Sequence, residues 1–342
     1  MSGEQPTTGA GIWVIGATFG AQYARALQNS GLRAIIGQGG ARGRQLATGL
    51  GCDYYTGVTQ ALSAPHPACA VVAVRSAVVG GEGDEIARQL LCAGIPVLQG
   101  LPLHPQAMAD TLRIARQQGT GFAVTPFYDQ LPRVRRFLRA ARWLSRYTTL
   151  RSVEMRVTVQ TLHCALMVLS GLLGVPSTAV TTTPLAARGK VLVSCLWQGV
   201  PVDIILMNRF DFADPDAHAQ PLMQITVVSD NGELTLYSPF GPLIREYPIP
   251  AEASMTAAPL LVTGQRDNRI TAGQLHDAMG RGIRTALAQA MAQPMPSAAT
   301  LQRQLAVLRL WRAVSDAAGH PLHYRPGEAD SAGLPGGAAC RR

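Results

Sequence analysis

The chain has 342 residues, 47% of them hydrophobic, which suits two globular domains and excludes a disordered chain. No apolar run reaches the roughly 20 residues that a spanning helix needs, and residues 1–9 lack a basic-then-apolar leader, so the expectation is a soluble cytoplasmic protein without a membrane partner. The net charge is +9, almost all of it from arginine, since Lys190 is the only lysine.

The densest basic cluster is Arg133, Arg135, Arg136, Arg139, Arg142 and Arg146, with Val134, Phe137, Leu138 and Leu144 at helical spacing. That spacing describes the solvated face of an amphipathic helix, or a docking patch for an acidic partner. A nucleic-acid interface would want arginine and lysine concentrated together with interleaved aromatics, and no nucleic-acid partner is expected. Six cysteines (Cys52, Cys69, Cys92, Cys164, Cys195, Cys340) stand far apart, with no metal-ligand spacing and no disulfide framework; free thiols and no metal are expected.

The chain opens on Gly11-Ile12-Trp13-Val14-Ile15-Gly16-Ala17-Thr18-Phe19-Gly20. A short apolar strand, Ile12–Ile15, ends in glycines, and an alanine-rich helix follows at 21–30. Such a strand–turn–helix lets backbone N–H groups and a helix N-terminus meet a pyrophosphate. Gly16, Thr18, Phe19 and Gly20 are the candidate contacts, although Thr18 stands where a middle glycine is common. Strands are then predicted at 32–36, 70–74, 95–98 and 121–125, and helices at 42–50, 84–93 and 105–118. Helices that end at glycine between buried strands predict an α/β unit with a parallel, doubly wound sheet.

The ends of those strands supply further candidates. In a dinucleotide fold an acid after the second strand reads ribose hydroxyls, whereas small residues and arginine accept a 2′-phosphate. Here the strand runs into Gly37-Gln38-Gly39-Gly40-Ala41-Arg42-Gly43-Arg44, so Gly39, Arg42 and Arg44 point to NADPH. Arg75 and Ser76 follow the third predicted strand and Gln99 follows the fourth. His104 is the nearest titratable residue after it. Tyr128, in Thr125-Pro126-Phe127-Tyr128-Asp129, sits where the chain leaves the parallel sheet, and a phenol there can protonate a substrate atom.

After the Arg-rich helix the rhythm changes. A strand is predicted at 153–161 and an apolar helix at 162–173. Strands follow at 179–183, 191–197, 202–208, 222–229 and 233–238, with Asn231-Gly232 as a hairpin turn. Long strands in this order predict an open mixed or antiparallel sheet. Helices are predicted at 271–291 and 298–318, and a disordered Pro/Gly/Ala/Ser tail from Pro326. The expected division is a dinucleotide-binding domain over 1–126, an α/β substrate and dimerisation domain over 127–325, and a tail over 326–342.

Val14-Ile15-Gly16-Ala17-x-Phe19-Gly20, Gln38-Gly39-x-Ala41-Arg42-x-Arg44, Val74-Arg75-Ser76 with Gly80-Gly81, Gln99-x-x-Pro102-Leu103-His104-Pro105 and Phe127-Tyr128 together resemble the thiazolinyl imine reductases of yersiniabactin- and pyochelin-type siderophore assembly, within the Gfo/Idh/MocA-like superfamily. The resemblance is strong over about residues 11–130. It continues more weakly through Gln160-Thr161-Leu162, Arg209-Phe210, Asp214-Pro215-Asp216 with His218, and Tyr237 to Pro242. It implies a Rossmann domain joined to an α/β domain, a homodimer, and NADPH-dependent reduction of a thiazoline C=N to a thiazolidine. It further implies that the substrate is tethered to a carrier-protein domain of a nonribosomal peptide synthetase. Tyr128 matches a tyrosine proposed as proton donor in that family. The family has Glu-His where this chain has Gly100 and Leu101, and sugar dehydrogenases of the superfamily have Glu-Lys-Pro there. The usual acid on the first helix of the second domain is replaced by Met167. Either Tyr128, His104 or water then supplies the proton, or catalysis is weakened. Reduction of another C=N or C=O group, or an NADP-binding accessory protein that has lost its chemistry, are the alternatives.

Overall fold

The computed structural model describes residues 11–74, 81–100, 102–124, 126–211, 221–248, 260–263 and 270–323. The first half alternates strand and helix: β1 (Ile12–Ile15), α1 (Gly20–Leu27), β2 (Leu32–Gly37), α2 (Ala41–Leu50), β3 (Asp53–Thr56), α3 (Val58–Ala61), β4 (Cys69–Val72), α4 (Gly83–Cys92), β5 (Val97–Gln99), α5 (Pro105–Gln117) and β6 (Phe122–Val124). The six strands pair in parallel in the order β3-β2-β1-β4-β5-β6. β1 and β4 are buried along their whole length because helices cover both faces of the sheet.

Five strands were expected here and six are present. The addition is β3, with the one-turn helix α3 after it. Asp53-Tyr54-Tyr55-Thr56 lies at the sheet edge and is only half covered, so it lacks the continuous apolar run of its neighbours.

The chain then passes through a 3-10 turn (Phe127–Gln130) into α6 (Pro132–Tyr147), β7 (Leu150–Thr158) and α7 (Leu162–Leu173). Five strands follow: β8 (Val180–Pro184), β9 (Lys190–Trp197), β10 (Val200–Met207), the two-residue β11 (Arg209–Phe210) and β12 (Met223–Ser229). The chain ends with β13 (Gly232–Leu236), β14 (Leu243–Glu246), β15 (Leu261–Thr263), α8 (Ala272–Ala292), α9 (Ala298–Ala318) and β16 (Leu322–His323). Eight strands form a mixed sheet in the order β15-β14-β13-β12-β7-β10-β9-β8, with β7 and β10 parallel and the other pairs antiparallel. Val153, Met155 and Val157 of β7 face inward beneath the apolar helix α7, whereas Arg151, Glu154 and Arg156 face outward.

Some boundaries move for local reasons. The strand expected at 153–161 begins at Leu150 and stops at Thr158. There the Thr161 N–H donates to the Thr158 carbonyl at 3.1 Å, turning the chain into α7. The hairpin turn is Asp230-Asn231 instead of Asn231-Gly232, because Gly232 already pairs with Ser229. Of the six Arg-rich helix cations, Arg142 is not simply solvated: its Nε and Nη2 donate to the Gly171 carbonyl at 3.0 and 2.6 Å, tying α6 to α7. The tail expected to be disordered lies outside the described residues.

The two C-terminal helices come back onto the parallel sheet. Arg284 of α8 donates to the Ala26 carbonyl at 2.9 Å, and buried Gln304 of α9 donates to the Val124 carbonyl at 2.8 Å. The Pro294 carbonyl between them accepts from Phe122 N–H at 2.8 Å. This return holds β6 and the Phe127–Gln130 turn between the two halves.

Candidate active site

A cavity of about 860 Å³ opens at the C-terminal ends of β1, β2 and β4. The strand order reverses between β1 and β4, which in an open α/β sheet leaves a crevice for a ligand. The volume falls within the ~300–1,000 Å³ of cofactor and small-molecule sites. Gly16, Thr18 and Phe19 line it, and α1 begins just behind them at Gly20 without a capping side chain. Gly16 has φ +104°, and a Cβ there would stand 2.9 Å from the Ala73 carbonyl oxygen, so the loop has to turn on glycine. Backbone donors and the positive end of α1 thus face the cavity.

The second wall is built at the end of β2. Gly39 has φ +84°, and its N–H donates to Tyr54 Oη at 3.0 Å. Arg42, in the first turn of α2, lines the cavity beside Gly40 and Gly43. Arg44 does not line it; its Nη2 reaches across Gly39, 3.9 Å from where a Cβ would stand. The opposite wall carries Glu82 and Glu85. The hydrogen bond and charge of Arg88 hold the Glu85 carboxyl below its usual range.

Toward the second sheet the cavity meets an aromatic cluster. Phe19 stacks over Phe127 with centroids 6.5 Å apart, and Tyr23 meets Phe19 and Phe127 edge-on at 5.9 and 5.7 Å. Tyr128 stacks on Phe127 at 4.8 Å and is 7% exposed. Burial raises its phenol well above the ordinary value, with the nearby Cys164 thiol adding to the shift, so the hydroxyl stays protonated. Burial also pushes the Cys164 thiol up to about 12, aided by the charge of Asp129. Desolvation raises the Asp129 carboxyl in turn. Tyr23 is fully buried and its hydroxyl has no hydrogen-bond partner among the described residues. A Cβ on Gly100 would stand 2.6 Å from that hydroxyl.

His104 goes elsewhere. It precedes α5, and its Nδ1 accepts from Arg312 Nη1 of α9 at 3.1 Å; its ring lies 6.3 Å from Trp311. Buried His163, at the start of α7, meets the other side of Trp311 at 6.4 Å, and desolvation lowers it to about 4.

The structure therefore brings Gly16, Thr18, Phe19 and Arg42 to one cavity, with Gly20, Gly39 and Arg44 immediately behind its walls. Tyr128 joins it through Phe19 and Phe127. Gln99 is fully buried at the end of β5, outside the cavity lining, and both its amide atoms lack partners among the described residues. Arg75, Ser76 and Leu101 lie outside the described residues. Tyr54, Glu82 and Tyr23 were not anticipated. For Tyr54 the available signal was the short aromatic stretch between Gly51 and Gly57. Among the described residues no group of three or more His, Cys, Asp or Glu could hold a metal ion, and no helix is long and apolar enough to cross a membrane.

Comparison with known proteins bears on the fold. No curated protein sequence matches the chain. Among solved structures, GenD2 from gentamicin A biosynthesis in complex with NAD aligns with TM-score 0.69 and 18% identity, over 93% of this chain and 96% of that one. An oxidoreductase from Agrobacterium radiobacter in complex with NAD+, L-tartaric acid and magnesium aligns with TM-score 0.67 and 10% identity, over 90% and 96%. A Gfo/Idh/MocA family oxidoreductase from Vibrio cholerae aligns with TM-score 0.64 and 14% identity, over 90% and 97%. Residues 10–125 match the model of the Gfo/Idh/MocA oxidoreductase family, NAD-binding Rossmann fold. Residues 10–125 thus match the NAD-binding Rossmann model of the Gfo/Idh/MocA oxidoreductases, and the chain as a whole shares the fold of these solved structures.

Proposed function

We propose that this protein is an NADPH-dependent reductase of a thiazoline C=N bond, acting on an intermediate carried as a thioester by a nonribosomal peptide synthetase carrier domain. The cavity suits the cofactor: Gly16 lets the loop turn tightly against Ala73, α1 starts uncapped beside it, and Arg42 lines the wall where no acid follows β2. Gly16, Thr18, Phe19, Arg42 and Arg44 would hold the nucleotide. Bound NADPH would supply a hydride for the imine carbon.

The observation that carries the reading is the filled space at Gly100. The Tyr23 hydroxyl lies where a side chain at that position would begin, so no acid or lysine acts from there. The sole lysine, Lys190, starts β9 in the other sheet, which argues against lysine-assisted alcohol oxidation. Tyr128 remains as a phenol kept protonated by burial. It would donate a hydrogen bond to the ring nitrogen and release its proton as that nitrogen gains charge, water then restoring the phenol. His104, engaged by Arg312, takes no part in this account.

The test is NADPH oxidation with a synthetic hydroxyphenyl-thiazoline thioester, wild type against Tyr128→Phe. We expect wild-type turnover and a loss of about 100-fold in the variant, as for removal of a positioned acid. Turnover retained in the variant moves the proton source to water. The filled position also favours a second reading, a cofactor-binding protein without turnover; tight NADPH binding with no oxidation on any C=N or C=O substrate selects it. A homodimer is part of the same proposal, with sedimentation as its check.

A further inference from the structure

Tyr54 belongs to no predicted element, yet it is wedged into the wall that the NADPH reading assigns to the 2′-phosphate. Its ring fits between the end of β2 and the first turn of α2 only because both neighbours are glycine. A Cβ on Gly37 would stand 2.8 Å from Tyr54 Oη, and a Cβ on Gly43 would stand 2.8 Å from Tyr54 Cε2. Contacts that short displace something. The ring is thereby held on two sides, and the hydroxyl is fixed 3.0 Å from Gly39 N–H, from which it accepts.

Three features converge at Gly39. The Tyr54 hydroxyl bonds its N–H, Arg44 Nη2 comes within 3.9 Å of where its Cβ would stand, and α2 begins two residues later, capped by Gly40 and with no acid in its first turn. Arg42 and Tyr54 line the same cavity. A tyrosine hydroxyl has one proton to give as well as lone pairs to receive with. Gly39 uses a lone pair, and among the described residues the Tyr54 proton goes to no acceptor. A phosphate oxygen between the two arginines is the acceptor such a group suits, and a hydrogen bond to an ionised acceptor is about twice as strong as a neutral one.

We propose that Tyr54 is a specificity-determining residue for the 2′-phosphate: its ring locks the Gly37–Gly40 turn, and its hydroxyl donates to the phosphate that Arg42 and Arg44 neutralise. The inference rests on the NADPH reading. The ligand class is an adenosine 2′-phosphate; ribose hydroxyls alone gain little from this wall.

The experiment is calorimetric titration of wild type, Tyr54→Phe and Gly43→Ala with adenosine 2′,5′-bisphosphate and with adenosine 5′-monophosphate, beside a thermal melt of each protein. Tyr54→Phe keeps the ring and removes only the hydroxyl. We expect it to weaken the bisphosphate by about 10-fold or more and to leave the monophosphate within about 3-fold, with only the small drop in the melt that loss of the Gly39 N–H bond entails. Gly43→Ala keeps the hydroxyl but brings a Cβ to 2.8 Å from Tyr54 Cε2 and 3.1 Å from its Oη, displacing the ring, and should weaken the bisphosphate selectively as well. Equal weakening of both ligands by Tyr54→Phe, or no change in either, overturns the inference. A wild type that binds both ligands equally overturns the NADPH assignment itself, and the role of Tyr54 with it.

Discussion

The hydroxyl oxygen of Tyr23 stands 2.6 Å from the point that a Cβ on Gly100 would occupy, and the ring carbon Cζ stands 3.0 Å from it. Position 100 is therefore closed by α1 and not merely emptied. Gly100→Ala should destabilise the fold by about 1–3 kcal/mol, the usual cost of overpacking. Tyr23→Phe alone should be neutral or stabilising, because the hydroxyl it removes is buried without a partner. The double variant should recover part of the loss. Chemical denaturation of the four proteins reads the coupling, and strictly additive effects would show that the two positions do not meet.

Arg42 and Arg44 divide the labour at the second wall, since Arg42 lines the cavity and Arg44 lies over Gly39. Replacing both with Ala should weaken NADPH by about 100-fold while NADH changes by less than about 5-fold, because two charge-assisted contacts disappear. Arg42→Ala alone should account for the larger share. Equal losses for the two nucleotides in fluorescence titrations would refute the assignment.

His163 gives the fold a pH dependence. It is buried against Trp311, and desolvation lowers it from 6.5 to about 4. The unfolded chain therefore binds the extra proton between those values, so stability is intact above pH 6.5 and falls as the pH drops toward 4. The contribution is on the order of 3 kcal/mol. His163→Gln, which cannot ionise, should flatten the difference between denaturation midpoints at pH 7 and pH 4.5. An undiminished difference would place the sensitivity in other groups.

His104 is held by Arg312 of α9 at 3.1 Å. His104→Asn should lower the thermal midpoint modestly, in line with a net hydrogen-bond worth of about 1 kcal/mol. It should leave kcat within about 3-fold of wild type. A fall in kcat to the level of Tyr128→Phe would return His104 to the chemistry.

The parallel sheet was legible because β1, β4 and β5 are short, fully buried and mostly apolar runs between turns. The glycine loop and the arginines after β2 were legible because their chemistry is local: a turn and a charged pair need only near neighbours in the chain. β3 was missed because an edge strand, half covered, carries no hydrophobic period long enough to register. Tyr54 was lost with it. His104 was read as a site residue because it follows β5; that its hydrogen-bond partner comes from a helix 208 residues away in sequence is visible only in the folded chain.

The amino-acid sequence by itself determined the α/β alternation, the glycine loop after β1, the open mixed sheet and the position of Tyr128 at the exit from the first sheet, since each follows from spacing and side-chain type within a few turns of chain. Only the tertiary structure decided what stands opposite each of these residues. It closed position 100 with the Tyr23 hydroxyl, drew His104 to Arg312, and set Tyr54 between Gly37 and Gly43. Such pairings depend on how β-strands order themselves and where α8 and α9 return, and packing across elements distant in sequence leaves no periodic trace in the chain.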